Sequence, residues 1–311
     1  MNKPYSPSPL KTRRRYRYLS KKINVFASVI IAVFSLFFYP HVASAASLPM
    51  SGNFTVLAQN TITTNGTPTN STNTAGPDVS SNWAGYTASG NNRYSGVGAS
   101  WIIPKTTNTD YSSNSTWIGI GGLSGEKNLI QIGTHTMTTA TIEGKNTNKI
   151  TYKAWYEILP SLPVTIPVTI HPGDSVMASI AQESLNQWTI SFQNLTTNQG
   201  YKTSLYYASS MSSVEWIQES PLITGTNILV PLDNFGKLSF SNAWTINNGV
   251  RQNIQQVGAR PMNMLNYAGQ PLVNTSSLGA DGSSFIITRT NAKSMPRLAV
   301  ISKSISNSPK R

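Results

Sequence analysis

Cysteine is absent from the sequence, and charged residues make up only 11% of it. The lack of cysteine excludes disulfide bonds, thiolate nucleophiles and zinc sites built on thiolates. The charged fraction is well below the usual quarter of a soluble protein, and serine, threonine and asparagine take its place. This composition is typical of β-strands joined by polar turns rather than of helices rich in glutamate and lysine.

The sequence signatures of several hydrolase classes are missing as well. There is no Gly-x-Ser-x-Gly elbow, since Gly122–Gly125 has the wrong spacing, and outside the N-terminal segment the only histidines are His135 and His171. No His-Glu-x-x-His motif occurs, and Asp281–Ser283 does not fit the paired Asp-Thr/Ser-Gly loops of aspartic proteases. Any catalysis must therefore use carboxylates, amides and hydroxyls, and we expect no metal and no cofactor.

Much of the net charge of +13 lies in the N-terminal segment. Residues 1–45 contain eight Lys or Arg and no acidic residue, with the apolar run Ile23–Tyr39 and the small residues Ala43–Ala45 at the end. This order predicts a secretory signal peptide over residues 1–45. An uncleaved anchor is the alternative, but the apolar run is short for a span of about 20 residues. The remaining chain has a net charge of +5 with scattered basic residues, so no nucleic acid partner is expected.

Two further segments flank the region that we expect to fold. Residues 46–78 are rich in threonine, asparagine, serine and glycine, a composition that predicts a disordered linker or a propeptide. Residues 291–311 are polar and basic and are predicted to form a loose C-terminal tail. The folded domain is therefore predicted to span residues 79–290. We expect a secreted, extracellular monomer without stable membrane association after signal cleavage.

Short runs rich in β-branched and aromatic residues recur through residues 79–290, separated by Gly, Pro, Asn and Asp. No window of helical length shows an apolar repeat of 3.6 residues. Closely spaced short strands with turn signals predict an all-β antiparallel sandwich or barrel. The predicted strands are Ser115–Ile120, Leu129–His135, Lys149–Ile158, Ser175–Ala181, Trp188–Gln193, Val214–Glu219, Lys237–Ala243 and Ser284–Arg289.

A set of short motifs follows in order along this region. The motifs are Ser81–Tyr86 (SNWAGY), Thr116–Gly121 (TWIGIG), Leu129–Gly133 (LIQIG), Ala154–Pro160 (AWYEILP), Phe192–Thr197 (FQNLTT), Val214–Glu219 (VEWIQE) and Pro231–Gly236 (PLDNFG). In this order they resemble the eqolisins, a family of glutamic endopeptidases, in the bacterial form that lacks cysteine. The resemblance runs from about Ser80 to Arg289. It implies polypeptide substrates and a β-sandwich of two antiparallel sheets, with a substrate cleft across a concave face.

The resemblance also implies which residues carry the chemistry. The catalytic glutamine of the family falls on Gln131, and its catalytic glutamate falls on Glu219. Positions that bind substrate in the family fall on Trp83, Trp117 and Glu157. An ionised glutamate can take a proton from the attacking water and return it to the leaving amine. A neutral amide can donate a hydrogen bond to the oxyanion without titrating.

Other interpretations of the same residues stay open. Alternation along the strand puts Glu215 on the same face as Glu219, so Glu215 is the competing general base. The two tryptophans would suit the core of a sandwich as well as a cleft, and Glu157 would suit a plain strand position. The domain could instead be a secreted module that binds carbohydrate or peptide without catalysis, because fold does not determine function. A glycoside hydrolase with Glu215 or Glu157 beside Glu219 is a third reading.

Three positions depart from the fungal members of the family. Gly121, His135 and Lys153 stand where those enzymes have acidic residues. Fewer carboxylates mean less mutual repulsion, and a nearby cation favours an ionised glutamate. We therefore predict a mildly acidic pH optimum for activity rather than the extreme acid preference of the fungal enzymes.

Overall fold

The computed structural model describes residues 76–107, 110–123, 128–139, 149–222 and 229–294. These ranges contain sixteen β-strands and no helix, which confirms the all-β prediction. The predicted signal peptide, nearly all of the predicted linker and residues 295–311 of the predicted tail lie outside them. Within these ranges, no helix is long and apolar enough to cross a bilayer.

Each of the eight predicted runs corresponds to an observed strand, and most of these strands are longer than predicted. The strands are β1 (Asp78–Ser80), β2 (Trp83–Ser89), β3 (Tyr94–Ile102), β4 (Ser112–Gly121), β5 (Leu129–Thr139), β6 (Lys149–Ile158), β7 (Val164–Thr165), β8 (Ser175–Ser184), β9 (Gln187–Asn194), β10 (Gln199–Tyr206), β11 (Ser213–Glu219), β12 (Lys237–Asn247), β13 (Val250–Asn253), β14 (Arg260–Leu265), β15 (Pro271–Thr275) and β16 (Phe285–Arg289).

The strands form one hydrogen-bonded path in the order β10-β9-β8-β3-β12-β16-β15-β14-β2-β11-β4-β5-β6-β7, with β1 beside β14 and β13 beside β12. The prediction of two separate sheets is not confirmed, because β12 joins both halves of this path. Its first part, Lys237–Phe240, pairs with β16, whereas the part from Phe240 to Asn247 pairs with β3 after a register shift between Ser241 and Trp244. A strand with such an irregularity can pass from one layer to the other.

The two halves of the path share one hydrophobic core. Trp216 of β11 donates its indole N–H to the carbonyl oxygen of Gly98 in β3, over 3.2 Å. Trp101 of β3 donates its indole N–H to Oγ1 of Thr134 in β5, over 3.1 Å. Burial of each large apolar side chain contributes roughly 1.5–3 kcal/mol. The continuous sheet is therefore held folded back on itself by this core.

Alternate side chains of β2, β4, β5, β6 and β11 point to opposite faces of the sheet. Even-numbered residues of these strands, such as Ile118, Ile132 and Trp216, face the shared core. Odd-numbered residues face away from that core, on what we call the site face. A second apolar cluster lies there, made of Trp83, Trp117, Leu129, Trp155, Leu159, Ile217 and Met262.

Strand register arranges the site face in three rows, each running across β2, β11, β4, β5 and β6. The first row is Thr87, Glu215, Gly119, Gln131 and Glu157. The second row is Gly85, Ile217, Trp117, Gly133 and Trp155. The third row is Trp83, Glu219, Ser115, His135 and Lys153. All five residues assigned by the family resemblance therefore lie on one face of the sheet.

Candidate active site

Three nitrogen donors surround the carboxylate of Glu219. Its Oε1 accepts hydrogen bonds from Trp83 Nε1 at 3.1 Å and from Asn82 Nδ2 at 3.2 Å. Its Oε2 accepts a hydrogen bond from Trp117 Nε1 at 2.8 Å. Glu219 is fully buried, so these bonds replace the water that an exposed carboxylate would have. These three hydrogen bonds hold the side chain in one orientation and stabilise its negative charge.

Trp83 and Trp117 are buried, and they also belong to the candidate site. Their rings meet edge to face, with centroids 5.0 Å apart and planes inclined by 79°. Trp83 is the first residue of β2 and pairs in register with Glu219, the last residue of β11. Each ring packs in the second apolar cluster, and each indole N–H donates to the Glu219 carboxylate.

Burial raises the pKa of Glu219 well above its ordinary value. The hydrogen bonds from Trp117, Trp83 and Asn82 act in the opposite direction, and the nearby charge of Glu157 raises the pKa further. Glu219 therefore ionises at a higher pH than an exposed glutamate does. Any activity that needs ionised Glu219 should accordingly begin to fall at a higher pH as the solution is acidified.

Gln131 and Glu157 form a pair on adjacent strands. They are directly opposite each other in the β5–β6 register, and Gln131 Nε2 donates a 2.7 Å hydrogen bond to Glu157 Oε2. Both side chains are fully buried. Burial raises the pKa of Glu157 to about 8, although the hydrogen bond from Gln131 lowers it. Within the described residues, the other oxygen of each side chain has no hydrogen-bond partner.

Trp117 connects this pair to the Glu219 carboxylate. A methyl group added at Gly119, which lies between Gln131 and Glu215 in the first row, would come within 2.9 Å of Trp117 Cζ3 and 3.3 Å of Glu215 Oε2. The indole therefore reaches from the first row, above Gly119, to Glu219 in the third row. The structure places Gln131, Glu157 and Glu219 on one face around Trp117, and Glu215 lies in the same row as Gln131.

The third row holds two of the positions that depart from the fungal pattern. His135 is buried, and Ser115 Oγ lies 3.0 Å from its Nδ1. Burial, together with the charge of Lys153, lowers the pKa of His135 to about 3, so the ring is neutral in mildly acidic solution. The expected cation beside Glu219 is therefore not supplied by His135, and burial is the dominant influence on the Glu219 pKa.

Two features of the site were not predicted from the sequence. Asn82 donates to Glu219, and the sequence signals this only through its position next to Trp83 in the first motif. The contact between Gln131 and Glu157 depends on the register of β5 against β6, which the sequence does not encode locally. Among the described residues, no three His, Asp or Glu side chains come together as metal ligands would.

The arrangement contains the groups that amide hydrolysis requires. Glu219 is a carboxylate fixed by three donors and able to exchange a proton with water. Gln131 is a neutral amide with N–H donors and a carbonyl acceptor. The surrounding apolar cluster provides a low-dielectric environment, in which hydrogen bonds to a developing charge are stronger than in water.

Solved structures with a similar fold include scytalido-glutamic peptidase bound to a peptide-based transition state analog. It has 22% sequence identity and a TM-score of 0.56, over 68% of this chain and 98% of that one. A second is SCP-B, a member of the eqolisin family in complex with the tripeptide Ala-Ile-His, with 22% identity, a TM-score of 0.54 and the same coverage. These likenesses show the fold of the chain.

Curated relatives include Aspergillopepsin-2 from Aspergillus niger, 27% identical over 202 residues, which cover 57% of this chain and 68% of the relative. Scytalidopepsin B from Scytalidium lignicola is 28% identical over 135 residues, which cover 43% of this chain and 48% of the relative. The model of the Peptidase A4 family matches residues 81–289, nearly the whole predicted domain. The chain therefore belongs to the Peptidase A4 family, the eqolisins, and is a glutamic endopeptidase.

Proposed function

We propose that the chain is a secreted endopeptidase that cuts peptide bonds with Glu219 as general base and Gln131 as oxyanion donor. The observation that supports this most is the set of three hydrogen bonds on the buried Glu219 carboxylate. A buried carboxylate is costly unless it is paired or hydrogen-bonded. A structural strand position would not need such an arrangement on the same face as a buried amide and a second carboxyl.

In the proposed reaction, ionised Glu219 takes a proton from a water molecule, whose oxygen attacks the carbonyl carbon of the scissile bond. The carbonyl oxygen becomes an oxyanion, and an N–H of Gln131 donates to it. The protonated Glu219 then gives its proton to the leaving nitrogen, and the carbon–nitrogen bond breaks. Glu219 returns to its ionised form, so the proton balance closes without another group.

The substrate side chains are proposed to contact the apolar cluster of the site face. Trp83 and Trp117 lie in this cluster beside Glu219, and Trp155 and Ile217 lie in the same row as Trp117. Aromatic side chains supply large contact areas and are suited to peptide recognition. Polypeptide is the proposed substrate class, in keeping with membership of a peptidase family.

Secretion is proposed on the N-terminal sequence alone. Residues 1–45 have the basic, apolar and small-residue order of a signal peptide. Expression of the full chain should release it to the medium, with a mature N-terminus at or beyond residue 46. A chain that stays in the membrane fraction with its N-terminus intact would contradict this.

Digestion of a denatured protein by the purified chain without residues 1–45, over about pH 2 to 7, tests the catalytic proposal. Gln131→Ala, checked for folding by circular dichroism, should cut much more slowly than wild type. The same assay is repeated after release of residues 46–78, in case that segment blocks the site. Absence of cleavage under every condition, together with binding to carbohydrate or peptide, would instead favour a non-catalytic binding module.

A further inference from the structure

We infer that Glu157 is a positioning residue whose protonation decides which end of the Gln131 amide faces the substrate. This inference rests on the proposed role of Gln131 as oxyanion donor. It replaces the expectation that Glu157 contacts substrate directly with a role that acts through Gln131.

The geometry isolates the two side chains as a pair. Gln131 and Glu157 are opposed in register, and one nitrogen–oxygen contact of 2.7 Å joins them. Within the described residues, Gln131 Oε1 and Glu157 Oε1 are buried and have no other hydrogen-bond partner. The orientation of the amide is therefore set by Glu157.

An ionised Glu157 accepts hydrogen bonds and cannot donate one. It must therefore attract Nε2 of Gln131, which is the arrangement seen in the structure. In this orientation one amide N–H is committed to Glu157, and the carbonyl Oε1 is the end of the amide left free of Glu157. A carbonyl oxygen cannot stabilise an oxyanion, so this state is unfavourable for catalysis.

A protonated Glu157 carries an O–H donor. The favourable partner for that donor is Oε1 of Gln131, and this pairing requires the amide to turn by half a rotation about its terminal bond. Nε2, with both hydrogens, then faces the site and can donate to the oxyanion. The catalytically useful orientation of Gln131 is therefore the one that a proton on Glu157 imposes.

The hydrogen bonds of the site favour a state in which Glu157 holds a proton while Glu219 is ionised. Glu219 has three nitrogen donors, whereas Glu157 has one. The charge of Glu157 raises the pKa of Glu219, so the two carboxyl groups oppose each other's ionisation. The buried position of Glu157 keeps it protonated to about pH 8.

Other titratable groups on the same face come from β11 and from the pair's own strands, β5 and β6. Glu219 and Glu215 lie on β11, and His135 of β5 and Lys153 of β6 form the register pair two rows away on the site face. His135 is neutral above about pH 3. The two residues of β7, which pairs with β6 on its other side, are not titratable.

The first test compares the pH dependence of kcat/KM in wild type and in Glu157→Gln. Glutamine keeps an N–H donor for Gln131 Oε1 at every pH and so mimics protonated Glu157. Wild-type kcat/KM should fall about tenfold per pH unit once Glu157 ionises, and Glu157→Gln should lack this limb. Glu183→Gln changes an exposed glutamate on β8 and serves as the matched control, with a wild-type profile expected. A wild-type alkaline limb in folded Glu157→Gln would overturn the inference.

The second test needs no catalysis. The ¹³Cδ signal of Gln131, assigned by its loss in Gln131→Leu, is followed over about pH 4 to 9 while circular dichroism confirms that the chain stays folded. A titration of this signal in wild type that vanishes in Glu157→Gln is the expected result. If peptide cleavage is absent but this titration is present, the proposed function fails and the coupling stands. If cleavage occurs without any Gln131 titration, the coupling is wrong and the proposed function stands.

Discussion

The indole N–H of Trp117 donates a 2.8 Å hydrogen bond to Oε2 of Glu219, two positions beyond its own register partner Ile217. The bond therefore runs diagonally between neighbouring strands, from the second row of the site face to the third. Because it stabilises the ionised carboxylate, it opposes the effect of burial on the Glu219 pKa.

Replacing Trp117 by phenylalanine removes this donor and keeps an aromatic ring. The pKa of Glu219 should rise further, so the acid limb of kcat/KM should move to higher pH. Loss of one donor to a buried charge is worth about 1.5–3 kcal/mol, or about one to two pH units. The measurement is the pH–rate profile of Trp117→Phe against wild type.

Trp101→Phe is the matched control for that substitution. It also loses one indole hydrogen bond, but its partner is Thr134 in the shared core, away from the site face. This variant should lose stability and keep the wild-type acid limb. If the acid limb of kcat/KM moved equally in both variants, the shift would result from loss of stability and not from loss of the hydrogen bond to Glu219.

Stability should decrease as pH rises from about 4 to 8. Burial raises the pKa of Asp233 to about 6 and that of Glu157 to about 8. Folded carboxyl groups with raised pKa values stabilise the fold fully below the unfolded value of about 4. This contribution is lost as pH passes through the folded value, because the unfolded chain gives up its proton first. Urea denaturation at a series of pH values measures the change.

Asp233→Asn isolates one part of this effect. Asparagine keeps an oxygen that can accept the 2.7 Å hydrogen bond from Asn114 Nδ2 but cannot ionise. Between about pH 4 and 6 the variant should lose less unfolding free energy than wild type, by on the order of 3 kcal/mol in total for a shift of about two units. Identical slopes of unfolding free energy against pH would contradict the assignment to Asp233.

A buried network of side-chain hydrogen bonds lies on the face of β4 and β11 opposite the site face. It should affect the free energy of unfolding without affecting the reaction. Thr116 Oγ1 donates to Gln218 Oε1 at 2.5 Å, and Gln218 Nε2 donates to Asn114 Oδ1 at 2.9 Å. Gln218→Leu removes the partner of Thr116 Oγ1 and of Asn114 Oδ1 and should cost about 2–4 kcal/mol of unfolding free energy. Gln218 faces away from Glu219, so the pH–rate profile of the folded variant should keep its midpoints.

Close packing behind Trp117 depends on a glycine. A Cβ at Gly133 would contact the carbonyl oxygen of Thr116 and lie 2.6 Å from Trp117 Cβ. Gly133→Ala should therefore cost about 1–3 kcal/mol of stability and lower kcat by displacing Trp117. Gly200→Ala is the control, since its Cβ would meet nothing nearer than 3.8 Å, and thermal unfolding of both variants checks the difference.

The strands and their faces could be predicted from the sequence, because side-chain alternation is a local property. Glu215, Ile217 and Glu219 were expected on one strand face, and all three lie on the site face. The pairing of Glu219 with Trp83 could not be predicted this way, because 136 positions separate them. Register between distant strands results from packing of the whole fold.

The electrostatics of the site were equally inaccessible to local reasoning. His135 and Lys153 suggested a lower pKa for Glu219, but its complete burial raises the pKa instead. Burial depends on every element that covers a side chain. The continuous sheet likewise depends on the irregularity of β12 near Ser241, where no proline or glycine signals a bend.

Glu219 is the proposed general base, and the most direct test of this role is kcat/KM of Glu219→Gln beside that of Glu215→Gln. Both substitutions keep size and polarity on the same face of β11, so folding is checked in both by circular dichroism. We predict that Glu219→Gln loses at least about a hundredfold, while Glu215→Gln retains most of its activity. Activity that survives Glu219→Gln and disappears in Glu215→Gln would contradict the account and assign the base to Glu215.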